Sequence, residues 1–258
     1  MAKHQQGWLT RIWQAATVRR WARAAASVEA MPPALLRSWK DAALQLRAPL
    51  DRVIHGVDNQ LAGTAIGSRD FPLPIDSDWA WRPELWSGLL AKPGLVGADS
   101  HASLGDEITL FHDCPHAEMA LRQLRNKRES DRAAFAFRLD VFRFAGSYLS
   151  LAIDLPLQAA AGLRRKHLIE VNAIAQMDQP REIFARLNIK HGPNVEQIVR
   201  SLNTLQQEVI NIEFDLAYTK LNEKRVEKLW LDLIFEAPAL NQVTLRDLTF
   251  NRRRRAEF

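Results

Sequence analysis

The feature that most limits the fold of this 258-residue chain is a strict alternation of apolar and polar residues over its second half. Successive side chains of a β-strand point to opposite faces of a sheet, so a period of two predicts strands that each bury one face. Apolar residues hold every second position in seven segments, which begin at Phe135, Leu149, Ile169, Ile183, Ile210, Leu229 and Val243. In the last segment the alternation changes phase between Leu245 and Leu248.

Residues 107–111 add a further candidate, which brings the total to about eight strands. Only two stretches among them favour helix: residues 117–128 clearly, and residues 195–205 less so. Many antiparallel strands with short connections predict a mainly β protein. We expect an antiparallel, jelly-roll-like β-sandwich over residues 105–258, ending in a basic C-terminal tail.

The first part of the chain, residues 1–62, is predicted to form a basic helical N-terminal extension. Its apolar residues recur at helical spacing near Trp8 and Ile12, and again as a heptad seam between Leu36 and Val57. Pro49 is expected to kink or split the second helix. Packing of this helix on the β domain is the plainer interpretation of the seam.

Between these parts, residues 63–104 are rich in glycine and proline, which break long elements. The segment also holds Phe71, Trp79, Trp81 and Trp86, more aromatic residues than a disordered linker carries. We therefore expect an ordered coil that packs on the β domain through its tryptophans.

The charge of the chain is concentrated at its ends. The net charge is +5, and residues 1–28 hold five basic side chains with no acidic one before Glu29. A second basic block covers residues 252–255. Such ends indicate an anionic membrane surface or an acidic protein as partner, or simply keep the protein soluble. We expect a cytoplasmic location, or a peripheral one at the inner membrane if the extension binds lipid.

Four strings in the chain resemble an uncharacterised family of alphaproteobacterial proteins, a domain of unknown function. They are TLFHDC (109–114), ARLNIKHGPN (185–194), the long string from Phe214 to Pro238, and NQVTLRDLTF (241–250). The resemblance covers the chain from about Gly63 onward and implies no activity and no functional residue. The strand pattern is also loosely similar to sugar-binding jelly-roll modules, a likeness of architecture.

The polar faces of four predicted strands carry a candidate ligand-binding set. If these strands share one sheet, their face combines aromatic rings with carboxylates, an amide and guanidinium groups, a mixture that suits a sugar. The alternative is a face covered by ion pairs alone. The set is Arg138, Asp140, Phe184, Arg186, Asn188, Glu213, Asp215, Trp230 and Asp232.

A second candidate set lies in the N-terminal extension. Tryptophan beside arginine is typical of a helix that lies on an anionic membrane or in the groove of a partner protein. Nucleic acid is a poor fit, because no recognised binding module accompanies the charge. The set is Trp8, Arg11, Ile12, Trp13, Arg19 and Arg20.

Catalytic and metal motifs give little support for an enzyme. His112, Asp113 and His116 are suitable metal ligands by type, but turn and capping roles explain them better. Cys114 is the single cysteine, and the chain contains no nucleophile elbow and no glycine-rich phosphate loop. We therefore predict no metal, no cofactor and no catalytic residue, and the sequence favours a protein without enzymatic activity over an enzyme.

Taken together, these patterns favour a non-catalytic binding or assembly protein that docks on a membrane surface or a protein partner through its basic helix. The first alternative is a carbohydrate-binding module that uses the polar sheet face. The second alternative is a hydrolase acting on glycans, in which Asp215, Asp232 or His112 would be required.

Overall fold

The computed structural model of the chain describes residues 8–65, 76–202 and 208–255, with the side chains of residues 8–14, 48, 51, 52 and 54–65 outside that description. The chain divides into two compact units, Met1–Ile54 and His55–Phe258.

The N-terminal unit is helical. Helix α1 (Trp8–Ala26) is followed by a 3-10 turn (Val28–Ala30) and by α2 (Pro33–Ala65), which begins with a proline, as a first helical turn allows. Pro49 lies inside α2 and does not end it, so the predicted split of this helix is wrong. The rings of Trp21 and Trp39 meet edge to face, with centroids 5.0 Å apart.

Along α2 an apolar stripe faces outward. Leu46, Leu50 and Val53 follow the predicted seam at spacings of four and three, and all three side chains are exposed. No helix in the part of the chain described here has the length and apolar content to span a membrane.

The second unit is an antiparallel β-sandwich, as the alternation predicts. One sheet has seven strands: β1 (Ser77–Trp81), β2 (Gly94–Val96), β5 (Glu118–Arg125), β6 (Phe135–Arg143), β8 (His167–Met177), β11 (Val209–Asp215) and β13 (Asn241–Arg254). The other has six: β3 (Ser103–Leu104), β4 (Ile108–His112), β7 (Leu149–Asp154), β9 (Ile183–His191), β10 (Asn194–Leu202) and β12 (Val226–Phe235). Two short helices, α3 (Glu84–Ser87) and α4 (Leu157–Ala160), lie in the connections.

The order of strands explains the jelly-roll character. The seven-stranded sheet runs β11-β8-β13-β6-β5-β2, with β1 also paired to β13, and the six-stranded sheet runs β10-β9-β12-β7-β4-β3. From β6 onward the chain crosses repeatedly from one sheet to the other. The apolar rows of both sheets therefore meet in one core, which includes Phe137, Leu151, Leu187, Phe214 and Leu231.

The phase change in the last strand is a β-bulge. The register of β13 against β8 shifts between Leu245 and Asp247, so Leu245 and Leu248 both remain in the core. Arg246, at the bulge, is buried and paired with Asp131. An extra residue at a bulge moves every following side chain to the opposite face of the sheet, which explains the phase change in the apolar pattern of the sequence.

Both predicted helices within the β domain are wrong. Residues 118–125 form β5, and residues 194–202 form β10, which pairs with β9 along its whole length. In β5 the side chains of Met119 and Leu121 lie in the core between the sheets. Pairing with a neighbouring strand and burial of these residues outweigh their local preference for helix.

The segment predicted as coil contains regular structure. Residues 76–104 hold β1, α3, β2 and β3, whereas residues 66–75 lie outside the described part. Trp86 is fully buried, and its indole Nε1 donates to the carbonyl of Leu245 at 2.9 Å. Trp79 and Trp81 also pack against the core. The segment is thus tied to the sandwich by its tryptophans.

The basic C-terminal block does not form a free tail. Arg252 lies within β13, is buried, and donates from Nε to Asp78 at 2.7 Å. Arg253 pairs with Glu213, and Arg255 lies 3.6 Å from Asp215. These arginines form ion pairs within the sandwich. They do so because β13 continues to Arg254, beyond Phe250, where the alternation of apolar residues ends.

Candidate functional site

An open groove of about 700 Å³ covers the outward face of the six-stranded sheet. It follows from strand alternation: in β9, Leu187 and Ile189 enter the core, whereas Arg186, Asn188 and Lys190 face outward. Fourteen residues line the groove: Thr109, Phe111, Tyr148, Ser150, Ala152, Asp154, Arg186, Asn188, Lys190, Gln197, Lys228, Trp230, Asp232 and Ile234.

Cross-strand register places the polar side chains in rows. Arg186 of β9 lies opposite Asp232 of β12. In the next row, Asn188 lies opposite Trp230, which lies opposite Asp154 of β7. Side chains directly opposite each other on one face are in contact range, so these rows bring the functional groups together.

A hydrogen-bonded network spans three strands at the centre of the groove. Asp232 Oδ2 accepts from Arg186 Nε at 3.0 Å and from Asn188 Nδ2 at 2.9 Å. Gln197 Nε2 of β10 donates to Asn188 Oδ1 at 3.0 Å. Asn188 and Asp232 are buried, with exposed fractions of 0% and 5%, so these polar groups are held in fixed positions.

Beside this network stands the half-buried indole of Trp230. Lys228 Nζ lies 5.8 Å from the centroid of the ring and 2.8 Å from Asp154 Oδ1. Two more aromatic residues, Phe111 and Tyr148, line the groove on the side of β4. Phe111 contacts the ring of His101 edge to face at 4.8 Å. The groove thus offers aromatic surface next to ordered amide and carboxylate groups.

The structure gathers four of the nine predicted ligand-binding residues in this groove: Arg186, Asn188, Trp230 and Asp232. Phe184 points to the same side of β9 but lies beyond the lining, opposite Ile234.

The other four predicted residues lie on the seven-stranded sheet, so the hypothesis of a single face needs correction: Arg138 and Asp140 on β6, Glu213 and Asp215 on β11. The physical reason is that the chain changes sheets between these strands.

Asp140 accepts from Arg122 at 2.5 Å and from Arg138 at 2.9 Å. Burial opposes ionisation of Asp140, but these two hydrogen bonds outweigh it and lower the pKa of the carboxyl. The polar residues predicted on the seven-stranded sheet therefore form ion pairs with neighbouring side chains.

Sequence reasoning missed most of the groove on the side of β4 and β7. Thr109 and Phe111 alternate with buried Ile108 and Leu110, which is the signal that could have identified them. Tyr148 carries the same signal, because it lies on the face of Ser150 and Ala152, opposite the core residues Leu149 and Leu151. Which strands are neighbours is decided by long-range pairing, and the alternation within one strand does not contain it.

The N-terminal candidate set is only partly described. The side chains of Trp8, Arg11, Ile12 and Trp13 lie outside the described residues. Arg19 and Arg20 are exposed on α1, and the guanidinium of Arg20 lies 5.2 Å from the centroid of the Trp39 ring.

Two of the three residues considered as metal ligands, His112 and Asp113, make other contacts, and the third, His116, is exposed. His112 is buried, with Nε2 3.1 Å from the carbonyl of Ala98. Asp113 accepts from the hydroxyl and the amide of Ser147, and the hydroxyl bond is the main reason that its pKa is lowered. Within the described ranges, no group of three or more side chains of ligand type is close enough to hold a metal ion.

Comparison with known families decides the classification. The profile described as "Family of unknown function (DUF6478)" matches residues 1–258. The chain belongs to this family. The DUF6478 match also covers the basic helical start of the chain, where the resemblance of the sequence is looser. A comparison with curated protein sequences gives no match.

Several solved structures align with part of this DUF6478 protein at low sequence identity. The enzymatically active domain of tailspike protein 4 from bacteriophage CBA120 aligns with 56% of the chain at 6% identity and a TM-score of 0.41, although the chain spans only 19% of that protein. The family 11 carbohydrate-binding module from Clostridium thermocellum, in complex with a mixed-linked tetrasaccharide, aligns over 62% of this chain and 96% of its own at 10% identity and a TM-score of 0.35. The CBM22-1 xylan-binding domain from Paenibacillus barcinonensis Xyn10C aligns over 63% of this chain and 94% of its own, at 8% identity and a TM-score of 0.36.

Proposed function

We propose that the groove of the six-stranded sheet binds carbohydrate. The observation that carries this proposal is the juxtaposition of the half-buried Trp230 ring with the ordered network of Asp232, Asn188 and Gln197. An aromatic ring covers the apolar C–H face of a sugar, while carboxylate and amide groups pair with its hydroxyls. This was the alternative hypothesis at the level of sequence, and the geometry of the groove supports it better than the docking hypothesis.

The order of the groove before binding supports the same proposal. The two hydrogen bonds that Arg186 and Asn188 donate to Asp232, and the ion-pair contact from Arg186 Nη2, all end on Oδ2, and no donor among the described residues bonds to Oδ1. That oxygen and the exposed amide of Gln197 are therefore suited to a ligand. Groups held in place in advance lose little conformational entropy when a ligand binds, which favours affinity.

We propose binding rather than hydrolysis. A glycosidase needs one carboxyl that acts as a protonated general acid and a second carboxylate that acts as base or nucleophile. The two groove carboxylates are both ion-paired, Asp154 with Lys228 and Asp232 with Arg186. The other residues considered for hydrolysis, Asp215 and His112, are not among the lining residues.

A glycan array probed with the full chain and a matched pair of variants tests this proposal. Trp230→Ala removes the indole that stands beside the hydrogen-bonded network, and Phe142→Ala removes an aromatic side chain, 59% exposed, from the seven-stranded sheet. We expect the wild type to bind, Trp230→Ala to lose about tenfold or more in affinity, and Phe142→Ala to bind as the wild type does. A silent array, or equal loss in both variants, would contradict the proposal.

A second candidate function is docking of the helical unit to an anionic membrane surface. The exposed stripe of Leu46, Leu50 and Val53 on α2 favours it, together with the exposed Arg19 and Arg20 of α1. Apolar side chains entering the headgroup region and arginines near anionic lipids both contribute to such binding.

Vesicle sedimentation separates this second candidate from the first. Deletion of residues 1–28 removes Arg19 and Arg20 but leaves the apolar stripe of α2, so we expect it to weaken association with phosphatidylserine vesicles while leaving the sandwich folded and its glycan binding intact. Phosphatidylcholine vesicles provide the control for charge. Association that persists at the same level after the deletion would contradict docking through this segment.

A further inference from the structure

Two lysines lie side by side on neighbouring strands of the groove. Lys190 of β9 and Lys228 of β12 are direct cross-strand partners. Like charges in such positions repel each other. Each lysine has a carboxylate of its own: Lys190 Nζ lies 2.9 Å from Glu227 Oε2, and Lys228 Nζ lies 2.8 Å from Asp154 Oδ1.

A bulge in β12 supplies one of these carboxylates. The register of β12 against β9 shifts between Val226, which pairs with His191, and Lys228, so Glu227 is the extra residue. A bulge re-aims the side chain that it inserts, and here the carboxylate is directed to Lys190. The hydrogen bond from Lys190 lowers the pKa of Glu227, so this carboxyl is ionised near neutral pH.

The third cation of the groove is also paired. Arg186 Nη2 lies 2.8 Å from Asp232 Oδ2, and Asp232 is buried. Each cationic side chain that lines the groove therefore has its own carboxylate, and together with Glu227 the formal charges cancel.

This pairing determines the class of glycan, if the groove binds glycans as proposed above. Recognition of a ligand carboxylate or sulfate requires an arginine or lysine that is available to it. An acidic sugar in this groove would have to displace Asp154, Glu227 or Asp232 and leave that carboxylate close to its own charge, and such juxtaposition costs affinity. We infer that the groove selects uncharged oligosaccharides and rejects those that contain uronic acid or sulfate.

The test compares uncharged with acidic oligosaccharides of equal length on the full chain. The probes are cellohexaose and xylohexaose against hexagalacturonate, within an array that also holds other uncharged and uronate-containing glycans. The Asp154→Asn, Glu227→Gln double variant frees Lys228 and Lys190. The control is Glu118→Gln, Glu129→Gln, which changes the net charge equally at exposed positions outside the groove lining.

We expect the wild type to prefer uncharged glycans by about tenfold or more. The groove double variant should gain about tenfold in binding to hexagalacturonate, and the control variant should not gain. Wild-type binding to acidic glycans that equals or exceeds binding to uncharged ones would overturn this inference while leaving carbohydrate binding in place. So would a groove variant that gains no more than the control. Absence of binding to every glycan would overturn the proposed function itself.

Discussion

Asn188 of β9 and Asp232 of β12 are joined by a hydrogen bond of 2.9 Å from Nδ2 to Oδ2 on the outward face of their sheet, and both residues are buried there. Polar side chains on such a face usually reach solvent. These two are flanked by Arg186 and Gln197, each of which adds a hydrogen bond to the pair. The centre of the groove is therefore a fixed polar structure, and its contribution to stability is measurable.

Replacing Asp232 should lower the stability of the sandwich. Asp232→Ala leaves the guanidinium of Arg186 and the amide of Asn188 without their shared acceptor, at a cost of about 1–3 kcal/mol in the free energy of unfolding. Asp232→Asn retains an oxygen acceptor and should cost less. Urea denaturation measures both values. Equal stability of wild type and Asp232→Ala would show that the network contributes nothing to the fold.

Glu107 should make stability fall as pH rises. Burial raises the pKa of its carboxyl from 4.5 to about 7, although its Oε2 accepts from the amide of Glu84 at 2.8 Å. The folded state therefore holds a proton that the unfolded chain has already released, and the stabilisation is present below pH 4.5 and lost as pH rises through about 7.

Glu107→Gln keeps an acceptor and removes the titration. We expect this variant to be more stable than the wild type at pH 8 by about 1–2 kcal/mol, a value reduced from the full shift because solvent screens a partly exposed group. Burial lowers the pKa of His167, so this residue makes stability rise with pH, opposite to Glu107. The quantity to compare is therefore the difference in stability between the wild type and Glu107→Gln at each pH. Thermal unfolding from pH 4 to 8 measures it, and parallel curves would refute the assignment.

Trp86 should anchor the segment before β4 to the sandwich. Trp86→Ala removes a fully buried side chain and is expected to cost about 3–5 kcal/mol. Trp86→Phe keeps most of the apolar contact but leaves the carbonyl of Leu245 without its indole donor, so a cost of about 1–2 kcal/mol is expected. The two values come from denaturant titrations. A loss below 1 kcal/mol in Trp86→Ala would mean that the segment is not a structural part of the domain.

Arg252 should stabilise the sandwich. Besides Asp78, Arg252 bonds through Nη1 to the carbonyls of Ala159 and Ala161 at 3.0 and 2.8 Å. Arg252→Ala should therefore lower the free energy of unfolding by about 2–3 kcal/mol. The neighbouring exposed Arg254 is the matched control, and Arg254→Ala should change it by less than about 0.5 kcal/mol. Equal effects of the two substitutions would contradict this structural role.

Alternation predicted the strands because burial of one face is a local property of each strand. Even the bulge of β13 is visible as a phase change between Leu245 and Leu248. The two errors, β5 and β10, arose where short-range preference for helix competes with strand pairing. In β5 the paired core residues Met119 and Leu121 decide the outcome, and their partners on β6 are not adjacent in sequence.

The candidate site could be predicted only in part for a related reason. Arg186 and Trp230 were identified because each alternates with core residues in its own strand. Whether Asp140 or Asp154 joins them depends on sheet order: β7 neighbours β12, whereas β6 neighbours β13 in the other sheet. Antiparallel crossovers between sheets fix this order, and no residue pattern within one strand records it.

The most direct test of the central claim is an amide NMR titration of the full chain with the oligosaccharide that binds most strongly on the array. We predict that the shifts concentrate in β9, β12 and β7, and include the indole N–H of Trp230. Shifts centred on the seven-stranded sheet near Asp140 and Glu213, with Trp230 unaffected, would contradict the account.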